Sequence, residues 1–323
     1  MKILVTGSSG FIGFHLCLKL LQKGYKVFGI DNLNNYYDIN LKKDRNKILK
    51  KKRNFKFYKV DLKSKTKLKT LFKKNNFDCV VNLAAQAGVR YSLINPKSYI
   101  DNNIYGFFNL IECIREFKVK KFLYASTSSV YGLQKKFPIK ESFDTSHPIQ
   151  LYAATKKANE VIANSYNYLY GVETIGLRFF TVYGPWGRPD MALFKFTKNI
   201  IKKKKIEVFN FGKHYRDFTY VEDITEALFK IIKKRNKKTS KTKILNIGNG
   251  KKISLIKYIE TIEKFLKIKS NKKYLSLQKG DVIQTHCDNS YLKKEYSFNP
   301  KKNVNYGIKK FLEWFIDYYR IKI

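Results

Sequence analysis

Long apolar runs are missing from this chain. No stretch approaches the roughly 20 apolar residues that a membrane-spanning helix needs, so no membrane partner is expected. The N-terminus opens on a strand pattern with no signal peptide, and the expected location is cytoplasmic. Cysteine is sparse: Cys17, Cys79, Cys113 and Cys287 are scattered and form no CxxC. They read as reduced structural residues, and no metal site is expected. Acidic residues are scarce too, 25 against 66 Lys and Arg, for a formal net charge of +41. That charge invites a nucleic-acid reading. However, the basic runs Lys42–Arg53, Lys202–Lys205 and Lys233–Lys243 are dominated by lysine and carry no helix-turn-helix pattern or zinc module. They read as solvated surface, and no nucleic-acid partner is expected. The general positive field can still attract an anionic small molecule. No internal repeat is visible.

What is present begins with size: 323 residues, 44% apolar, are enough for one large core or two ordinary ones. Lys2–Thr6 is a short apolar run, followed by Gly7-Ser8-Ser9-Gly10-Phe11-Ile12-Gly13 and a helical pattern through Leu21. Strand, glycine loop and helix in that order suit a dinucleotide. Gly7 permits the turn, Gly10 the close approach of a pyrophosphate, and Gly13 the packing of helix on strand. A second strand, Lys26–Ile30, ends at Asp31-Asn32, where a carboxylate suits the ribose hydroxyls of NAD and repels a 2′-phosphate. Further strands are expected at Phe55–Val60, Asp78–Leu83, Lys121–Ala125, Glu173–Leu177 and Ile244–Gly248. Helices are expected at Asp101–Lys118 and Ile308–Tyr319, and exposed loops at Ser240–Lys243 and Lys269–Lys273.

Leu151–Glu160, LYAATKKANE, places Tyr152 and Lys156 four apart on one helix face. An unperturbed phenol has a pKa of about 10, and an ammonium one turn away can stabilise its phenolate. The bland alternative is an amphipathic helix with an outward lysine. Arg90 sits in a Gly/Ala loop (QAGVRYS) beyond the fourth strand, where an arginine can meet a carboxylate or phosphate or simply face solvent. Ser126-Thr127-Ser128-Ser129 offers several uncharged donors at the end of the fifth strand. Residues Arg178–Met191, with two prolines and two glycines, read as a shaped loop without a regular element.

The GxxGxxG spacing together with Tyr152 and Lys156 resembles the short-chain dehydrogenase/reductase superfamily, in its extended nucleotide-sugar branch. QAGVRYS and the run from Gly176 to Lys198 resemble the UDP-glucuronate 4-epimerases. The resemblance covers Met1 to about Tyr319. It implies an α/β, Rossmann-type doubly wound parallel sheet with a smaller, interleaved α/β substrate domain. Residues 1–180 would form the NAD-binding domain, rejoined by segments near 216–248, and 181–323 mainly the UDP-sugar domain.

By the same resemblance Thr127, Tyr152 and Lys156 are catalytic. Cofactor contacts would come from Gly7, Gly10, Phe11, Ile12, Gly13, Asp31, Asn32, Asp61, Leu62, Leu83, Ala84, Ala85, Gln86 and Asn103, with Tyr152 and Lys156. Substrate contacts would come from Arg90, Ser128, Ser129, Thr181, Arg188, Arg216 and Asp281. Relatives that dehydrate or decarboxylate carry acidic residues just after the position of Thr127, where this chain has Ser128 and Ser129. Many relatives place an arginine where Lys279 stands.

The implied activity is interconversion of UDP-glucuronate and UDP-galacturonate through NAD-mediated oxidation at C4, rotation and re-reduction, in a homodimer. Three rivals remain: a UDP-glucose or other UDP-hexose 4-epimerase, a net NAD-dependent dehydrogenase, and a non-enzymatic nucleotide or nucleic-acid binder.

Overall fold

The computed structural model of the protein describes residues 1–234 and 242–322. Its elements alternate from the N-terminus: β1 (Lys2–Thr6), α1 (Phe11–Gln22), β2 (Lys26–Asp31), α2 (Ile39–Lys50), β3 (Phe55–Lys59), α3 (Lys65–Lys74) and β4 (Cys79–Asn82). Two short turns, α4 (Tyr91–Ile94) and α5 (Pro96–Tyr99), lead through a π-helix (Ile100–Tyr105) to α6 (Gly106–Glu116), β5 (Lys121–Thr127), α7 (Leu151–Tyr170) and β6 (Glu173–Phe179). The remainder is β7 (Thr181–Tyr183), α8 (Ala192–Ile201), β8 (Ile206–Phe209), β9 (Tyr215–Tyr220), α9 (Val221–Lys233), β10 (Lys243–Ile247), β11 (Lys252–Ser254), α10 (Leu255–Leu266), β12 (Lys272–Leu275), α11 (Ser290–Tyr296) and α12 (Val304–Tyr318).

Seven strands form one parallel sheet in the order β10-β6-β5-β4-β1-β2-β3. Parallel pairing requires crossovers, and the helices that make them cover both faces. The pleat divides the apolar side chains between two cores. Ile3 and Val5 join α1, α9 and α11 on one face, while Leu4 joins α3, α6 and α7 on the other. Each such Leu, Ile or Phe contributes about 1.5–3 kcal/mol on burial. The strand order reverses between β1 and β4, and a doubly wound sheet opens a crevice for ligands at such a point.

The smaller unit is built on the sheets β11-β9-β7 and β12-β8 with α8, α10 and α12, around Phe194, Phe218, Tyr258, Ile308 and Phe311. The Phe218 ring stacks on Tyr258 with centroids 3.9 Å apart. The chain returns from this unit to the main sheet through α9 and β10, and again through α11, so the two units are interleaved.

Several elements differ from the sequence expectation. Arg178 lies within β6 and not in a loop, and Thr181–Tyr183 forms a strand where none was expected. Its partners, Phe218–Tyr220, are remote in sequence, so local turn chemistry could not announce it. The expected helix 101–118 begins as a π-helix, a feature frequent at functional sites. Lys272 and Lys273 belong to β12, paired with β8, and are not part of a free loop. Of Ser240–Lys243, Lys243 starts β10 and Thr242 precedes it, while 240 and 241 lie outside the described residues.

Candidate active site

The carboxyl ends of β1, β2, β4, β5 and β6 surround a cavity of about 430 Å³ that reaches into the smaller unit. All the sequence-nominated residues line it except Arg90 and Asn103.

At its floor the glycine loop is closed by Gly10 N donating to Gly7 O at 2.9 Å. Gly7 has φ +67°, and a Cβ there would meet Ala84 N at 2.8 Å; a Cβ on Gly13 would lie 2.1 Å from Gly7 O. Any side chain at these positions would push apart the backbone that makes the cradle. Ser8 Oγ and Ser9 Oγ are buried beside it without a partner. Asp31, 8% exposed, accepts from Ser9 N at 3.2 Å and Leu33 N at 2.8 Å. Burial raises its pKa, opposed by the Leu33 amide and by the Lys42 and Arg45 cations. Asn32 Nδ2 donates to Asp61 Oδ2 at 3.0 Å, so the ends of β2 and β3 are joined. Open backbone, buried unpaired hydroxyls and a carboxylate at the second strand fit a dinucleotide, which these residues could hold.

The residues expected to be catalytic, Thr127, Tyr152 and Lys156, lie on β5 and α7. Thr127 ends β5, and its Oγ1 lies 3.2 Å from Ser129 Oγ. Tyr152 stands in the first turn of α7, edge-on to Tyr99 at 6.1 Å. Burial raises the Tyr152 pKa, while the Arg188 guanidinium and a hydrogen bond from Thr127 act in the opposite direction. Lys156 is 2% exposed, donates to Ala125 O at 3.0 Å, and is brought down to about 8 by burial. Arg188 thus brings to Tyr152 a cation from a distant loop that the sequence did not announce.

Asn103 lies behind the cavity wall. It accepts from Gln86 N at 2.8 Å and donates to Gln86 O and Thr155 Oγ1, each at 3.0 Å. It thus ties the loop after β4 to the α7 turn between Tyr152 and Lys156. Arg90 is exposed on the N-terminal side of α4, its guanidinium 4.8 Å from the centre of the Phe209 ring.

The other two arginines already hold carboxylates. Arg188 Nε donates to Asp190 Oδ1 at 3.0 Å and Nη2 to Oδ2 at 2.5 Å, and Tyr36 OH donates to Asp190 Oδ2 at 3.2 Å. Arg216 Nη2 donates to Asp281 Oδ1 at 2.8 Å. Burial lowers the Arg216 pKa, opposed by Asp281.

Three groups escaped the sequence reading. Lys42 and Arg45, expected in a solvated run, are 5% and 0% exposed. Lys42 Nζ donates to Asn34 Oδ1 at 2.6 Å, while Arg45 reaches the glycine loop. Their i, i+3 spacing was the available signal. Gln150, the residue before α7, lines the cavity and donates to the Gly280 carbonyl, joining the helix to the Asp281 segment.

Residues 3–248 match the family model described as the NAD dependent epimerase/dehydratase family. A Staphylococcus aureus protein named Protein CapI is 47% identical, with 99% of this chain and 100% of that one covered. The UDP-glucuronate 4-epimerase 2 of Arabidopsis thaliana is 41% identical, with 99% and 77% covered. Among solved structures, the UDP-glucuronic acid 4-epimerase from Bacillus cereus in complex with UDP-glucuronic acid and NAD superposes with a TM-score of 0.93. That match has 32% identity and covers 99% of this chain and 100% of the other.

Proposed function

This chain belongs to the NAD-dependent epimerase/dehydratase family, and we propose that it interconverts UDP-glucuronate and UDP-galacturonate at C4, with NAD as cofactor. One observation carries the reading. The glycine cradle, the Tyr152–Lys156 pair, the hydroxyl cluster and two carboxylate-paired arginines open on a single cavity.

When bound, NAD supplies a reversible hydride acceptor for C4. Tyr152 takes the proton of the sugar 4-hydroxyl, and Thr127 hydrogen-bonds the same oxygen. The Arg188 charge favours the phenolate, and Lys156 would hold the nicotinamide ribose. The resulting 4-keto sugar would turn over and take the hydride back on its other face while Tyr152 returns the proton to the 4-oxygen, so the protein would end each cycle unchanged.

A uronate carboxylate loses water on entry and must find donors. Because Arg188 and Arg216 are each paired to a carboxylate and Thr127 serves the 4-oxygen, the hydroxyls of Ser128, Ser129 and Thr181 are the donors left for it, while the arginines and Asp281 set the diphosphate and ribose. With Ser128 and Ser129 where an acid pair or glutamate would stand, the site has no extra proton donor for dehydration or decarboxylation.

We further propose a homodimer. Helices α6 and α7 expose Phe108, Val161, Tyr168 and Leu169 at 42%, 56%, 74% and 64%, an apolar surface that a second copy would cover. Light scattering on the purified protein tests this, and a monomer at micromolar concentration refutes it.

The functional test is to incubate the protein with UDP-glucuronate and resolve the sugars while following NADH absorbance. UDP-galacturonate should appear without NADH accumulating. Stoichiometric NADH would instead indicate a net dehydrogenase, and equal turnover of UDP-glucose a neutral-sugar epimerase.

A further inference from the structure

Arg45 is fully buried, yet all of its hydrogen-bond acceptors are neutral oxygens. Nη1 donates to Ser9 O at 2.9 Å, in the middle of the glycine loop, and to Tyr37 OH at 2.8 Å. Nη2 donates to Trp186 O at 2.6 Å and Gly187 O at 3.4 Å, in the segment that leads to Arg188. One planar fork therefore grips two loops 177 residues apart, counting from Ser9 to Trp186 (186 − 9). Arginine suits this geometry because its donors diverge in a fixed plane, whereas a lysine ammonium is a point donor.

The gripped segment is under constraint. Trp186 has φ +58°, a left-handed conformation that a tryptophan rarely adopts and that surrounding contacts must maintain. Two further ties run from α1 to the same place. His15 Nε2 donates to Pro185 O at 2.9 Å, and the Phe14 ring lies 5.5 Å from the Trp186 ring. Burial holds His15 neutral, down at about 4, so the tie does not depend on a charge. Beyond the grip, the chain carries the Arg188–Asp190 pair, and Tyr36, next to Tyr37, donates to Asp190. The helix that opens with the glycine loop and the loop that carries the substrate arginine are thus one packed unit with Arg45 at its centre.

We propose that Arg45 is a positioning residue that couples the dinucleotide loop to Arg188, so that NAD and the nucleotide sugar each tighten the binding of the other. This rests on the functional reading above. The buried guanidinium hydrogen-bonds only neutral oxygens and has the Asp31 carboxylate nearby but not bonded to it, so a pyrophosphate at the glycine loop would give it a further anionic neighbour. With that loop fixed, the Ser9 carbonyl anchors Arg45, and Arg45 fixes the Trp186–Gly187 backbone that aims Arg188. Coupling of this kind is reciprocal at equilibrium, and allosteric couplings typically span about 5- to 150-fold.

The test uses the holoprotein carrying Tyr152→Phe, so that substrate binds without turning over. Equilibrium dialysis gives the NAD dissociation constant with and without saturating UDP-glucuronate. With Arg45 present, UDP-glucuronate should tighten NAD by about tenfold. Arg45→Lys keeps the charge but not the fork, and should bring that factor to about two or less. If Arg45→Lys fails to fold by circular dichroism, Tyr37→Phe decides, because it removes only one acceptor of the grip and should at least halve the factor. Tightening that survives unchanged in the deciding variant overturns the proposal while leaving the functional reading intact. An NAD affinity that ignores UDP-glucuronate with Arg45 in place likewise overturns the proposal alone, whereas a protein that holds no NAD takes both down.

Discussion

Two side chains four positions apart carry different burdens in this fold. Tyr152 gains acidity from Arg188 and Thr127 but loses it to burial, so its action as a base depends on what enters the cavity. Tyr152→Phe should keep NAD and UDP-sugar binding and lower kcat by roughly 10²–10⁴; turnover near that of the unaltered protein would remove it from the mechanism. Lys156 has a depressed pKa of about 8 because it is buried without a carboxylate partner. Its protonated form is thus disfavoured on folding. The unfolded chain binds the extra proton between pH 8 and about 10.5, so stability rises with pH across that window. Below pH 8 the penalty is constant, up to about 3 kcal/mol. Lys156→Met should therefore raise the melting temperature at pH 7, and the advantage should shrink as pH climbs from 8 to 10. A variant no more stable at pH 7 contradicts this account. Tyr152 and Lys156 were legible from their spacing; the position of Arg188 beside the phenol was not, because it depends on where a loop 36 residues later (188 − 152) comes to rest.

At the level of elements, α7 is held by an ion pair whose arginine, Arg178, the sequence reading assigned to a loop. Arg178 on β6 donates from Nε and Nη2 to Glu160 on α7, at 2.9 and 2.8 Å, and Ser126 Oγ donates to the same carboxylate at 2.6 Å. Arg178 also donates to Tyr131 OH, which in turn donates to Asn246 on β10. Helix, strand ends and the returning strand thus share one buried network. Removing one partner of such a pair strands the other charge, and Arg178→Met should cost about 3–5 kcal/mol in urea unfolding. The double variant Arg178→Met/Glu160→Leu should recover part of that loss. A single variant within about 1 kcal/mol of the native protein would show that the pair does not hold the helix. The helix itself was readable from LYAATKKANE. Its anchoring was not, since the ends of β6 and β10 are set by pairing partners rather than by local sequence.

At the scale of the whole molecule, substrate choice follows from two units closing on one cavity. If the hydroxyl cluster receives the uronate and Arg188 mainly serves the diphosphate and the phenolate, Arg188→Ala should lower kcat/KM for UDP-glucuronate and UDP-glucose alike. Loss of one charge-assisted contact is worth on the order of 1.5–3 kcal/mol, about ten- to hundred-fold. A selective loss of UDP-glucuronate turnover would return the carboxylate to Arg188. The family resemblance implied the doubly wound sheet, while the sequence by itself determined its strands, the glycine cradle, the Asp31 strand end and the Tyr152–Lys156 pair. Each of these is written in residues close together, where periodicity, turn chemistry and one helical turn suffice. Tertiary structure alone decided that Arg45 is buried in a lysine-rich helix and grips Ser9 and Trp186, that Asp190 and Asp281 pair with Arg188 and Arg216, and that Arg90 stays outside the cavity. The physical reason is range. A guanidinium chooses its partners within about 3 Å in space, and which carbonyls and carboxylates arrive there is fixed only when distant loops have packed.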